Sequence, residues 1–173
     1  SFGNLLNASA DISTCASPTR GIFGGGYTGP GNMGKLSTIQ YVTISSTGNT
    51  VKFGDLTDRR STLGACSNSV RGMFGGGAVV APDNKVVVID YITIASLGNS
   101  TNFGSLTQRR VQLGSLASQT RGFWGGGYAT APISNFLNII DSVTIATTGD
   151  AINFGSLTQI KNYPAGLSDR KST

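Results

Sequence analysis

The side chains that could do chemistry are few. The 173 residues include eight acidic side chains, all Asp, with thirteen Lys and Arg, two Cys and no His. Without imidazole there is no Ser-His-Asp or Cys-His nucleophile pair and no His metal site. Glycoside hydrolysis needs two facing carboxylates. Here Asp58, Asp83, Asp90 and Asp150 fall at predicted turns or strand starts, where a carboxylate ordinarily bonds nearby backbone. A phosphate loop needs glycines followed by Lys-Ser/Thr and a helix, and the glycine-rich phrases of this chain lead to neither. The expectation is a protein that is not an enzyme, with no catalytic residue, no metal and no cofactor.

The elements that carry these residues repeat. The phrase Arg20-Gly21-Ile22-Phe23-Gly24-Gly25-Gly26 returns as Arg71-Gly72-Met73-Phe74-Gly75-Gly76-Gly77 and as Arg121-Gly122-Phe123-Trp124-Gly125-Gly126-Gly127, at spacings of 51 and 50 residues. A fixed period near fifty means one supersecondary unit used several times. Within each phrase an apolar pair predicts a strand, and the glycines let the backbone turn or pass another strand where a Cβ would collide. Cys15 and Cys66 occupy one position of successive repeats, with Leu116 and Leu167 at that position later. A slot shared by Cys and Leu reads as a small apolar site, and equivalent positions on neighbouring units lie beyond disulfide reach. Two buried, unbridged thiols are expected, as suits assembly in a reducing cytoplasm.

Twenty-five glycines, 12% charged and 38% hydrophobic residues, rich in Thr, Ile, Val, Phe and Tyr, predict a packed all-β chain. The net charge of +5 is spread singly or in pairs, with no run that would track phosphates, so no nucleic-acid partner is expected. A merely basic surface, with weak attraction to acidic glycans, fits better. No stretch is long and apolar enough to span a membrane and no charged-then-apolar leader is present, so no membrane insertion is expected. The chain opens at Ser1 rather than Met, which is read as a processed product or a piece of something longer.

The middle unit reads most clearly. A first strand of small residues, Leu63 to Ser69, turns at Ser69-Val70 into a second, Gly72 to Gly77. A loop from Ala78 to Lys85 takes its turn chemistry from Pro82-Asp83-Asn84, and a long third strand follows from Val86 to Ala95. Leu97-Gly98-Asn99 makes a tight turn into a short fourth strand, Thr101 to Leu106. Four antiparallel strands in fifty residues describe a propeller blade, its first strand against a crowded channel and Phe103 packed between neighbours. The boundaries are a partial fourth strand at 1–5, blades at 6–56, 57–106 and 107–157, and a partial first strand at 158–173.

These repeats resemble kelch-type β-propeller blades in the Gly-Gly ending strand two, the Asp90-Tyr91 run of strand three, the aromatic of strand four and an Arg such as Arg60 or Arg110 opening the next blade. They depart from kelch in having Phe103 for its Trp, Trp124 before the glycines, and Ser142 where Tyr41 and Tyr91 stand in the other units. A closer resemblance is to the tandem repeats of tailed-phage (cyanophage-type) virion and tail structural proteins, carried by Ile89 to Asn99, Phe103 to Arg109 and Arg121 to Tyr128. That resemblance implies a non-enzymatic virion component in a tail fibre, appendage or adhesin, assembled in the host cytoplasm and exposed outside the cell. The alternative is a cellular propeller scaffold for protein partners.

Recognition is expected on the face with the variable loops, 27–36, 78–85 and 128–135. Its candidate ligand- or partner-binding residues are Tyr27, Arg59, Arg60, Asn84, Lys85, Arg109, Arg110 and Tyr128. Tyr and Arg near polar loops suit sugar stacking or a protein hot spot. Equally, the arginines could brace turns by bonding carbonyls or Asp, and the tyrosines could be packed. Arg20, Arg71 and Arg121 on the opposite face, with the glycine triplets, are read as structural. Expected partners are a host-surface glycan, other virion proteins, and either a second copy closing a six-blade ring or further units of a longer array, because three blades leave two faces uncovered.

Overall fold

The structure, a computed structural model, describes residues 1–29, 34–80, 85–129 and 135–166. It is all-β, with no helix among the described residues. The first unit contains β1 (Ser13–Ala16), β2 (Arg20–Gly24), the short β3 (Tyr27–Thr28) and β4 (Gly34–Lys35), β5 (Thr38–Thr43) and β6 (Val51–Asp55). The second contains β7 (Gly64–Ser67), β8 (Arg71–Gly75), β9 (Val88–Thr93) and β10 (Thr101–Ser105). The third contains β11 (Gly114–Ala117), β12 (Arg121–Gly125), the short β13 (Tyr128–Ala129) and β14 (Asn135–Phe136), β15 (Ile139–Thr144) and β16 (Ile152–Ser156). Each unit is a four-stranded antiparallel sheet in the order β1-β2-β5-β6, β7-β8-β9-β10 or β11-β12-β15-β16.

The second strands end sooner than their apolar pattern predicts, and the glycine triplet is the reason. Gly75 stays in β8, but Gly76 and Gly77 have φ of +67° and +97°, in the left-handed region that a Cβ disfavours. A Cβ on Gly76 would also lie 2.7 Å from the Arg110 carbonyl. The third strand is trimmed at both ends, to Val88–Thr93, because Val86 N–H bonds Gly77 O and Ile94 N–H bonds Val70 O outside the ladder. In each fourth strand the register slips across Phe53, Phe103 or Phe154, a bulge that bends the strand at the aromatic.

The apolar cores lie between units. One cluster joins Ile22, Ile39, Phe53 and Leu56 of the first unit to Leu63, Phe74, Ile92 and Ile94 of the second. The other joins Met73, Ile89, Phe103 and Leu106 to Leu113, Trp124, Val143 and Ile145 of the third. Each joint is made in the same three ways. The small-residue first strands lie side by side: Ser67 Oγ donates to Ala16 O at 2.7 Å and Ser115 Oγ to Ala65 O at 2.6 Å. An aromatic of one unit enters a glycine slot of the previous one, Phe74 over Gly24 and Trp124 over Gly75. A turn of one unit clasps the outer edge of the previous fourth strand. Gly98 N–H bonds Phe53 O at 3.0 Å, Ser100 N–H bonds Asp55 O at 2.8 Å, and Asp55 N–H bonds Asn99 Oδ1 at 3.0 Å. Gly149, Ala151 and Asp150 repeat all three bonds on Phe103 and Ser105.

The loss of a tyrosine at Ser142 is compensated across the sheet. Tyr41 and Tyr91 meet Phe53 and Phe103 edge-on, at centroid distances of 6.0 and 5.8 Å. In the third unit the residue directly opposite Ser142 is Phe123, where the other units have Ile22 and Met73, and Phe123 makes the edge contact with Phe154 at 5.1 Å.

Candidate functional site

The connectors entering the second and third units carry the densest polar chemistry. Arg60 Nη2 lies 2.6 Å from Asp90 Oδ2, with both side chains fully buried. Nη1 donates to Gly76 O at 2.8 Å and Val88 O at 2.9 Å. Thr57 completes the cluster, its hydroxyl 2.7 Å from Asp90 Oδ1 and its N–H 3.2 Å from Oδ2. Arg110, Asp141 and Thr107 repeat this, with an ion pair of 2.7 Å and donation from Arg110 to Gly126 O and Ile139 O. Burial pulls both guanidinium pKa values down, and the aspartate beside each opposes that shift.

Two expectations are corrected here. Arg60 and Arg110 are not available to a ligand: they are sealed inside the fold, pinning each connector to the glycine turn and third strand of its own unit. Asp90 does not cap a turn at a strand start; it sits within β9, fully buried. The signal lay in the first unit, where both partners change together. Ser9 stands at the Arg60 position and Gln40 at the Asp90 position, and Gln40 Oε1 accepts from Leu6 N–H at 2.9 Å and from Thr50 Oγ1 at 2.5 Å. Asp150 does bond backbone at a turn, through Oδ1 to Ser105 N–H.

The other candidates divide. Arg59 and Arg109 are exposed on their connectors, next to the buried arginines. Arg59 lines a groove with Leu56, Asp58, Val79 and Val80, between the first and second units. Tyr27 and Tyr128 are half-buried and belong to the short hairpins, paired with Lys35 and Phe136. Lys85 reaches across from the second unit, its Nζ 5.1 Å from the Tyr128 ring centre, and Phe136 packs on that ring at 5.4 Å. Lys35 is buried; desolvation lowers its pKa, Asp11 raises it, and Lys85 lowers it further. The Tyr128 ring is thus half-covered, with Phe136 packed on it and the Lys85 ammonium at cation–π distance from its face. Asn84 lies outside the described residues, as does the Pro82-Asp83-Asn84 turn.

On the other side the arginines brace the joints. Arg20 Nη1 donates to Ile94 O at 2.5 Å, and Arg71 Nη1 donates to Ile145 O at 2.7 Å. Each guanidinium also lies 4.7 Å from a tyrosine ring centre of its own unit, Tyr41 or Tyr91. Arg121 is exposed.

Neither cysteine is in a disulfide; Cys66 is buried and Cys15 half-buried. Leu116, at the equivalent position, is exposed, which departs from the apolar slot expected there. Cys15 lies over Gly72 and Cys66 over Gly122, each in the following unit, whereas among the described residues Leu116 is met only at its Cβ, by Gly166, and stays 41% exposed. Burial, then the neighbouring Cys15, pushes the Cys66 thiol well above its ordinary range. The folded chain therefore keeps this proton in alkali, while the unfolded chain releases it above roughly pH 8.5. Unfolded molecules then bind fewer protons, so stability falls by up to about 1.4 kcal/mol per pH unit above that point. Urea unfolding between pH 8 and 10 will show this slope in the parent and a shallower one in Cys66→Ala.

No protein-family model matches the chain, and no curated protein matches it.

Proposed function

We propose that the chain is a non-enzymatic structural and recognition module of a phage particle, its three sheets being successive kelch-like propeller blades in a tail fibre, appendage or adhesin. The observation that carries this reading is the division of charged groups within the repeat. Arg60, Arg110, Asp90 and Asp141 are sealed inside the fold, while Arg59 and Arg109 are exposed and Lys85 is half-buried over the Tyr128 ring, beside the segments that vary between units. The buried set holds a scaffold together; the outer set is the part of the repeat that would face a host-surface glycan or a neighbouring virion protein. The blade reading is supported by the order of strands and by the adjacency of the small-residue first strands. The virion setting is supported by the sequence resemblance alone.

A glycan array tests the recognition surface. Binding by the parent, reduced about tenfold or more in Arg109→Ala and in Tyr128→Ala with unchanged circular dichroism, is the expected result. Binding that survives both substitutions would move the site elsewhere. Antibody labelling of intact phage particles tests the setting, and particles that never bind the antibody would remove it.

A further inference from the structure

We infer that the outer face of the third unit is a docking surface for the first unit of a second copy of this chain, whatever particle or cell the chain serves. The folded chain already makes this joint twice, and the apolar residues that would make it a third time are present and more exposed than their counterparts. Phe53 and Phe103 are 3% and 2% exposed inside the joints, whereas Phe154 at the same position is 54% exposed. On the first unit's outer side, Ile44 is 47% exposed, whereas Ile94 and Ile145 are 2% and 1% exposed. Phe23 is half-buried where Phe74 and Trp124 are fully buried.

The two faces are complementary piece by piece. A Cβ on Gly24 would lie 2.6 Å from Phe74, and one on Gly75 would lie 2.7 Å from Trp124, because those slots are filled. The Gly125 slot is open, its nearest neighbours 3.9 Å away, and Phe23 of a copy has the place and chemistry to enter it. Arg20 and Arg71 bond the carbonyls of Ile94 and Ile145; Arg121 is exposed, and the matching acceptor on a copy is Ile44 O. A Cβ on Gly155 would meet nothing within 4 Å, whereas one on Gly54 or Gly104 would collide with the clasping turn, so the matching turn of a copy has space to settle there.

Two segments now hold these places. Residues 1–5 lie on the first unit's turn as a fourth-strand edge would: Gly48 N–H bonds Phe2 O at 2.8 Å, Thr50 N–H bonds Asn4 O at 2.9 Å, and Asn4 N–H bonds Asn49 Oδ1 at 2.9 Å. Residues 158–166 lie on the third unit as the connector of a following unit would, with Lys161 O accepting from Gly127 N–H as Arg110 O accepts from Gly77 N–H. A copy remakes these backbone bonds with its own equivalent residues and newly covers Phe154, Ile44 and Phe23. Phe2, Leu5 and Leu6 stay largely exposed where they now lie, so they hold the place weakly.

Sedimentation velocity on the full chain tests this. The expected result is a species heavier than 17.8 kDa whose share grows with concentration. Phe154→Asp and Ile44→Asp should each weaken association about tenfold or more; both positions are about half exposed in the single chain, and an unchanged circular dichroism spectrum checks that Phe154→Asp tolerates loss of the Phe123 edge contact. Ile152→Ser, which changes a side chain exposed in every unit, should leave association unaltered. Gly3→Val, whose side chain collides with Gly48 O, should lift residues 1–5 away and strengthen association. Mixing Phe154→Asp with Ile44→Asp leaves one intact face on each partner and should restore a one-to-one pair. A parent that stays at 17.8 kDa up to about 1 mM, or a mixture that never pairs, overturns the inference.

Discussion

Asp90→Asn should unfold at distinctly lower urea than the parent, with a loss of about 3–5 kcal/mol, because it leaves the Arg60 charge buried without a counter-ion. Arg60→Met should cost a similar amount from the other side. The informative variant is the double one, Arg60→Ser with Asp90→Gln, which installs the pair found at Ser9 and Gln40. Neither charge then remains, and the introduced amide can accept from Thr57 as Gln40 accepts from Leu6 and Thr50. The double variant should therefore recover a large part of what either single variant loses. Losses that simply add would mean that the two residues are not coupled.

Trp124→Ala should be the most damaging apolar truncation, at about 3–5 kcal/mol. The indole is fully buried in the joint between the second and third units, lies against Gly75, and donates from Nε1 to Gly64 O at 3.0 Å. Phe23→Ala removes the equivalent aromatic from an outer face and should cost well under half as much in the single chain. Circular dichroism during urea unfolding measures both. Trp124 is also the sole tryptophan, so in the parent its fluorescence reports on one joint while circular dichroism reports on every sheet. Coincident transitions are expected if the joints couple the units; separated ones would show that they open independently.

The repeat, its four-stranded sheets and the small-residue strands were legible because they depend on local chemistry: glycine tolerates left-handed backbone, and small side chains let strands crowd; the short hairpins β3–β4 and β13–β14, expected as loops, were not. The fates of Arg59 and Arg60 were not. Two identical side chains stand next to each other, and only the path of the connector decides which enters the fold. Composition cannot express that path, yet the joint change to Ser9 and Gln40 records it. Ser142 is a similar case. It looks like a lost aromatic until the β12–β15 register places Phe123 directly opposite. The contact between Lys85 and Tyr128 was the least legible, since the two meet only after two units have packed.

The clasp between units has a genetic consequence. It is written almost wholly in backbone bonds and glycine clearances, and the same three bonds recur at each joint. Loss of residues 57–106 would bring the Gly149 turn onto β6 and Trp124 onto the Gly24 slot, a junction of the kind already present. A change in the number of whole units would thus leave a seam of the kind that already folds, instead of one that has to be evolved anew.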